Sequence, residues 1–212
     1  MKPLGKKVSQ RTLPASLLRT DAGEADSLGD PTLLRGRKLA LTCSQKCPGD
    51  VILKTYDFAR LVRDSGMAIV SGFHSPIEKD CLPILLRGPG PAIIVQAHRL
   101  STSRLPRQWQ KAIDAGRLLL LSPFADKDKR VTAELAAKRN CFVGAISDEV
   151  LIPYAAPGSK TEALALDLLT KGKSVYTFHA DPNSKLIERG AVAVSPEFLC
   201  AHCKSAAARS LA

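Results

Sequence analysis

From Arg37 onward, the chain alternates short, near-continuous apolar runs with longer segments in which apolar residues return every three or four positions. The runs are Lys38 to Cys43, Met67 to Ser71, Ala92 to Ala97, Leu118 to Leu121, Glu149 to Pro153 and Ser174 to Phe178, and Ala191 to Val194 adds a shorter one. Runs of this length without polar alternation predict strands buried on both faces, the habit of parallel sheets. The intervening segments predict helices over 50–66, 77–87, 104–115, 129–139, 160–171 and 183–189. Asp50 stands where a helix cap is expected and Gly66 where the first helix should stop. Ser195-Pro196-Glu197 reads as a cap, a first-turn proline and an acidic first turn opening a last helix. The fold class is therefore α/β: a mostly parallel sheet of six to seven strands with helices on both faces.

The flanks break this pattern. Residues 1–34 mix Lys, Arg, Ser, Asp, Gly and Pro with only short apolar pairs such as Leu17-Leu18, and predict a flexible basic leader with one short helix at 13–19. The folded domain is expected over 35–199, and 200–212 as the end of a helix and a tail that frays from Ala206. No repeat at a solenoid period is evident.

Composition agrees with one core: 45% of the 212 residues are hydrophobic but only 5% aromatic, so the interior is built from Ala, Leu, Ile and Val. Lys and Arg outnumber Asp and Glu by 31 to 20, a net charge of +11 that favours a polyanionic partner. Met1 to Leu18 contains no apolar h-region, and no stretch is long enough to cross a bilayer, so the expected location is the cytoplasm with no membrane partner. There the six scattered cysteines are expected as thiols.

In such a sheet, ligands bind beyond the carboxyl ends of the strands. Four segments are candidate junctions: Thr42 to Lys46, Ser71 to Ser75, the stretch through Arg139-Asn140, and Ala156 to Thr161. The last is the most informative. Gly158 permits close backbone approach, and Ser159-x-x-Glu162 is a capping-box pattern that leaves N–H groups and a positive dipole end facing a ligand, with Lys160 beside them. Phosphate is the natural guest. The segment is neither a Walker A loop nor a G-x-G-x-x-G fingerprint.

The order of these motifs resembles the DNA-processing protein A (DprA, Smf) family. Gly36 to Ser44 looks like that family's first strand and turn, and Ala68 to Phe73 like its second strand with a Ser-Gly turn. Arg139 to Asp148 is similar to its Arg-Asn-Arg followed by an apolar pair and Gly-Leu-Ser-Asp. Gly158-Ser159 matches its Ser-Gly-Ser loop, while Asn183 to Ile187 with Gly190-Ala191 matches its closing segment. The resemblance spans about three quarters of the chain. It implies a Rossmann-like domain of the wider SLOG group that binds single-stranded DNA without a catalytic group or cofactor, and a RecA-type recombinase as protein partner. It further implies Arg139 as a phosphate contact, Asn140 and Ser44 as hydrogen-bonding groups, Lys46 and Lys160 as added charge, and Ser71, Gly72, Gly158 and Ser159 as the shapers of a backbone pocket.

This chain also departs from the family's pattern. Its Gly-Ser-Arg turn is here Cys43-Ser44-Gln45, its Ala-Arg-Gly-Ile-Asp stretch is His74 to Glu78, and the second arginine of Arg-Asn-Arg is Cys141. An alternative follows, a binder or sensor of a nucleotide-derived small molecule. Phosphoribohydrolase chemistry is not expected, because Pro157 to Glu162 shares only Pro, Gly, Thr and Glu with the motif Pro-Gly-Gly-x-Gly-Thr-x-x-Glu. A third alternative is a partner-binding protein, a homodimer joined through strand edges or the C-terminal helix.

Elsewhere, Arg99, Arg104, Arg107, Lys111 and Arg117, followed by Lys127, Lys129 and Arg130, form a second basic stretch around Trp109, which is expected to pack inward. Cys200-x-x-Cys203 has metal-like spacing but lacks a second ligand pair, so no metal is expected. His74 lacks a matching nucleophile or carboxylate pair and is expected as a loop histidine.

Overall fold

The computed structural model describes residues 16–20, 22–100, 105–124 and 131–210. Its strands are β1 (Ser16–Thr20), β2 (Gly23–Gly29), β3 (Lys38–Leu41), β4 (Ala68–Ser71), β5 (Ala92–Val95), β6 (Leu118–Ser122), β7 (Glu149–Leu151), β8 (Ser174–Phe178) and β9 (Val192–Val194). Its α-helices are α1 (Gly49–Val62), α2 (Pro76–Arg87), α3 (Arg107–Asp114), α4 (Ala133–Ile146), α5 (Lys160–Thr170), α6 (Ser184–Glu188) and α7 (Pro196–Ser210). The strands form one sheet in the order β1-β2-β6-β5-β4-β3-β7-β8-β9, parallel from β6 to β9.

All seven apolar runs become parallel strands. Alternate residues serve opposite faces. Leu39, Leu41, Ile69, Ile94, Leu118, Leu120 and Leu151 pack under α1, α2, α3 and α7. Ala40, Val70, Ile93, Val95, Leu119, Val150 and Ile152 pack under α4, α5 and α6. Burial on both faces is why no polar alternation marks these strands.

The chain starts its parallel sheet in the middle. From β3 it steps outward through β4 and β5 to β6, then returns to pair β7 against the free side of β3. The loops leaving β3 and β7 therefore diverge to opposite faces, which opens a crevice at the carboxyl ends of these two strands.

The sheet is larger than the six to seven strands expected, because part of the supposed leader is ordered. Residues 16–29 form a hairpin whose second strand pairs antiparallel with β6, from Asp26 opposite Ser122 to Gly29 opposite Leu119. The segment expected as a helix at 13–19 is instead the edge strand β1 from Ser16 on; residues 1–15 lie outside the described residues. The hairpin pairs with a strand some ninety positions away, and of β2 only Ala25, Ser27 and Leu28 are buried. Little apolar patterning announces it.

The bounds of three helices also move. The helix expected over 129–139 begins after the cap Thr132 and continues to Ile146, because Gly144 lies close against Leu168 of α5 and does not break it. At the far end, α7 reaches Ser210, with Ala206 and Ala207 buried, so the expected fraying from Ala206 is replaced by packing. α1 begins at Gly49 behind Pro48, which places Asp50 in the first turn rather than at the cap.

Gly29 joins the hairpin to the sheet at φ +115°, and a Cβ there would stand 2.2 Å from the carbonyl oxygen of Leu118. That neighbour is backbone inside a central ladder and cannot step aside. Gly29→Ala is expected to destabilise the protein by about 2 kcal/mol or more, read as a lowered midpoint in urea unfolding. An unchanged midpoint would contradict the docking of the hairpin on β6.

Candidate anion-binding site

The crevice holds a cavity of about 680 Å³ walled by the β3–α1 loop, the β4–α2 turn, the first two turns of α4 and the start of α5. Its floor is built around Glu78, which is 4% exposed. One carboxylate oxygen accepts the backbone N–H of Cys43 at 2.9 Å, and the other accepts the N–H of His74 at 2.9 Å and the hydroxyl of Ser71 at 3.3 Å. One side chain thus ties together the ends of β3 and β4. Ser75 caps α2 by accepting from the N–H of Glu78, and Ser71 also accepts from the N–H of Phe73, which turns there at φ +45°.

Arg139 reaches the same floor from α4. It is 4% exposed, and its Nε donates to Asn140 Oδ1 at 2.7 Å. Burial lowers its guanidinium below the ordinary arginine value, and the charge of Glu78 acts in the opposite direction. Gly72 explains how the group fits: a Cβ there would lie 2.1 Å from Arg139 Nη1.

The opposite wall joins the loops after β3 and β7. Ser44 Oγ accepts the N–H of Ala156 at 2.9 Å and lies 3.4 Å from Ser159 Oγ, while the N–H of Ser44 donates to Tyr154. Ser159 caps α5 by accepting from the N–H of Glu162, and Glu162 reaches back to accept the N–H of Gly158 at 2.7 Å. Gly158 turns at φ +71°. Lys160 lies across the mouth, its Nζ donating to the carbonyl of Ala133 at the start of α4.

Three helices, α2, α4 and α5, therefore begin at this cavity behind the caps Ser75, Thr132 and Ser159. Their positive dipole ends add to Lys46, Lys160 and Arg139, with the buried Glu78 as the opposing charge. The field favours an anion. His74, on the rim, has a pKa pushed below the usual histidine value, first by desolvation and then by Arg139 and Lys79.

Of the residues expected from sequence, Ser44, Lys46, Arg139, Asn140, Ser159 and Lys160 line this one cavity. Gly158 lies beside it, and Ser71 and Gly72 support it from below. Arg139 and Asn140 were expected at a strand–helix junction but sit within α4, so they enter through a helix side rather than a loop. Gly72 makes room for a side chain instead of approaching a ligand. Glu78, Ser75 and Thr132 were not singled out as site residues, although Ser75-x-x-Glu78 repeats the capping-box pattern recognised at 159–162. In the second basic stretch, Trp109 is half-buried against the core and Arg117 donates to the carbonyl of Gly88, while residues 101–104 and 125–130 lie outside the described residues. Cys200 and Cys203 are buried on α7, and His202 between them bonds Glu149 at 2.8 Å. Among the described residues no three His, Cys, Asp or Glu side chains are grouped as a metal requires.

The sheet order and the crevice at its switch point define a Rossmann-like α/β domain with a candidate anion site at the carboxyl edge. A family model for DNA recombination-mediator protein A matches residues 27–200, and the chain belongs to that family. Its role thus lies in DNA processing and recombination. No curated protein matches the chain. Among solved structures, DNA processing protein A from Streptococcus pneumoniae is similar with a TM-score of 0.72 at 18% identity, covering 90% of this chain and 74% of that one. The Helicobacter pylori DNA processing protein A, described with a unique single-stranded DNA binding mode, is similar with a TM-score of 0.72 at 22% identity, covering 90% and 95%. A molybdenum cofactor binding protein from Rippkaea orientalis shares the fold more loosely, with a TM-score of 0.55 at 15% identity over 80% and 96%.

Because the native state disfavours the His74 imidazolium, protonation of this residue removes stability as pH falls below about 6.5. In an NMR titration the His74 midpoint is expected below about 6.5, and Arg139→Gln is expected to raise it only part of the way, since desolvation remains. A midpoint unmoved by Arg139→Gln would show that the guanidinium does not face this ring.

Proposed function

We infer that the chain holds single-stranded DNA by its backbone, with a phosphate seated in the cavity between β3, β4 and β7. The observation that carries this reading is the convergence of three capped helix starts with Arg139, Lys46 and Lys160 on one cavity. Phosphate is the anion that N–H-rich helix ends and a buried guanidinium together suit best. The single-stranded DNA binding described for the Helicobacter pylori relative supports the same ligand, and the net charge of +11 supplies a long-range pull toward a polyanion.

Binding, not bond breaking, is the proposed work. The acid at the floor is occupied by two main-chain N–H groups and a hydroxyl, so it is placed to hold loops rather than to exchange protons with a substrate. A RecA-type recombinase is the proposed protein partner, which would receive the strand held here, and the cytoplasm is the proposed location. Among the described residues no helix is long and apolar enough to cross a membrane.

A second reading, a mononucleotide or related small anion, is favoured by one observation. Where the family's second arginine is expected, Cys141 lies exposed on α4 and is not part of the cavity lining, so the site carries less charge for a long strand.

The two readings separate in a titration of an oligothymidylate against salt. Affinity is expected to fall steeply with salt, and Lys46→Ala and Lys160→Ala are each expected to weaken binding several-fold and reduce the salt slope by about one. Arg139→Ala is expected to weaken it further, with circular dichroism confirming the fold. Salt-insensitive binding of a mononucleotide, with no affinity for the oligonucleotide, would replace the first reading with the second.

A further inference from the structure

The backbone around His74 is fixed on both sides. Phe73 is buried and turns the chain at φ +45°, and Ser75, 2% exposed, caps α2. Between them the N–H of His74 donates to Glu78 at 2.9 Å. The side chain is nevertheless exposed, and it lines the cavity together with Lys46, Arg139 and Lys160. Among the described residues its ring has no hydrogen-bond partner, so both ring nitrogens are available to a ligand. The other three histidines, His98, His179 and His202, do not line this cavity.

We propose that His74 is a conditional ligand: its imidazole takes up a proton as an anion enters the cavity and then donates to that anion, so that binding tightens as pH falls. This role rests on an anion being the guest of the cavity, but not on that anion being DNA.

Charged groups face the ring from several elements. Glu78 and Lys79 on α2 and Arg139 on α4 act on its titration, while Cys43 and Lys46 on the β3–α1 loop and Lys160 on α5 share the cavity wall with it. Desolvation, then Arg139, then Lys79 hold the imidazole neutral in the free protein, and Glu78 pulls the other way. An anion seated against Arg139 reverses this balance, because it offsets the repulsion of the guanidinium and adds an attraction of its own. Desolvation is the part it does not relieve.

The proton comes from solvent. Glu78, the carboxylate in this wall, already accepts from the N–H groups of Cys43 and His74 and from the hydroxyl of Ser71. Binding therefore turns a neutral imidazole and one solvent proton into an imidazolium beside the anion. Because the bound state holds one proton more than the free state, acid favours it.

An opposite charge within about 4–6 Å moves a midpoint by about 1–3 in pH. At the lower end of that range, an oligothymidylate without terminal phosphates is expected to bind about five- to tenfold more tightly at about pH 5.5 than at about pH 8. This probe keeps a constant charge over the interval, so the gain reports on the protein. His74→Gln, which cannot take up the proton, is expected to lose the gain. His74→Lys, charged throughout, is expected to hold the tighter affinity at both ends, and His179→Gln to keep the pH dependence of the parent.

In NMR titrations of the full chain, the His74 midpoint is expected to rise by about 1 on saturation with the oligonucleotide or with sulfate, against chloride at the same ionic strength. His98, His179 and His202 are expected to keep theirs. A His74 midpoint that stays in place while the oligonucleotide binds, or that neither ligand moves, overturns the proposal, as does an acid gain that survives His74→Gln. A midpoint raised by sulfate in a protein that binds no oligonucleotide upholds the role of His74 and removes DNA as the ligand.

Discussion

The carboxylate of Glu78 sits where a charge is costly, at the buried meeting point of two central strands and the start of a helix. It is stable there because backbone N–H groups from the ends of β3 and β4 and the hydroxyl of Ser71 all donate to it. Those donors are also the groups that would otherwise splay the two loops apart. Arg139 shares the buried floor, where the charge of Glu78 offsets part of the cost of burying its guanidinium. The meeting of the β3 and β4 ends at the cavity floor follows from this one carboxylate.

The wider fold serves the same place. Two apolar faces clamp the sheet, α1, α2, α3 and α7 on one side and α4, α5 and α6 on the other, so the strand ends are fixed to within the tolerance of a packed core. Because β3 and β7 send their loops to opposite faces, helices from both layers begin at the crevice. An open sheet with this strand order concentrates helix N-termini there without any glycine-rich phosphate loop. That is how this chain, with no Walker motif, gathers three helix starts at one cavity.

The sequence displays the parallel strands plainly because each is a short run of Leu, Ile, Val or Ala that must be buried on both sides. The β1–β2 hairpin has no such run: its strand pairing with β6 is made by main-chain groups, which leave little trace in side-chain pattern, and only Ala25, Ser27 and Leu28 of β2 are buried. The site was legible in part. Ser44, Ser159, Lys160 and Arg139 belong to motifs, and the fold gathers them as their order suggests. Glu78 was hidden by its own usefulness, since a glutamate three residues after a serine reads as ordinary helix capping, and only the tertiary fold shows that its oxygens face Cys43 and His74 instead. Gly72 was read as a place for close ligand approach, because sequence shows a glycine's freedom but not which neighbour occupies the space beside it.

That space has a kinetic consequence. With Gly72 beneath it and Asn140 holding its Nε, the guanidinium of Arg139 is already seated at the cavity floor. The side-chain entropy that a surface arginine loses on binding was lost here during folding. For an anion seated as proposed, encounter would then need no rearrangement of this side chain, and ligands that differ in fit would differ more in how long they stay than in how fast they arrive.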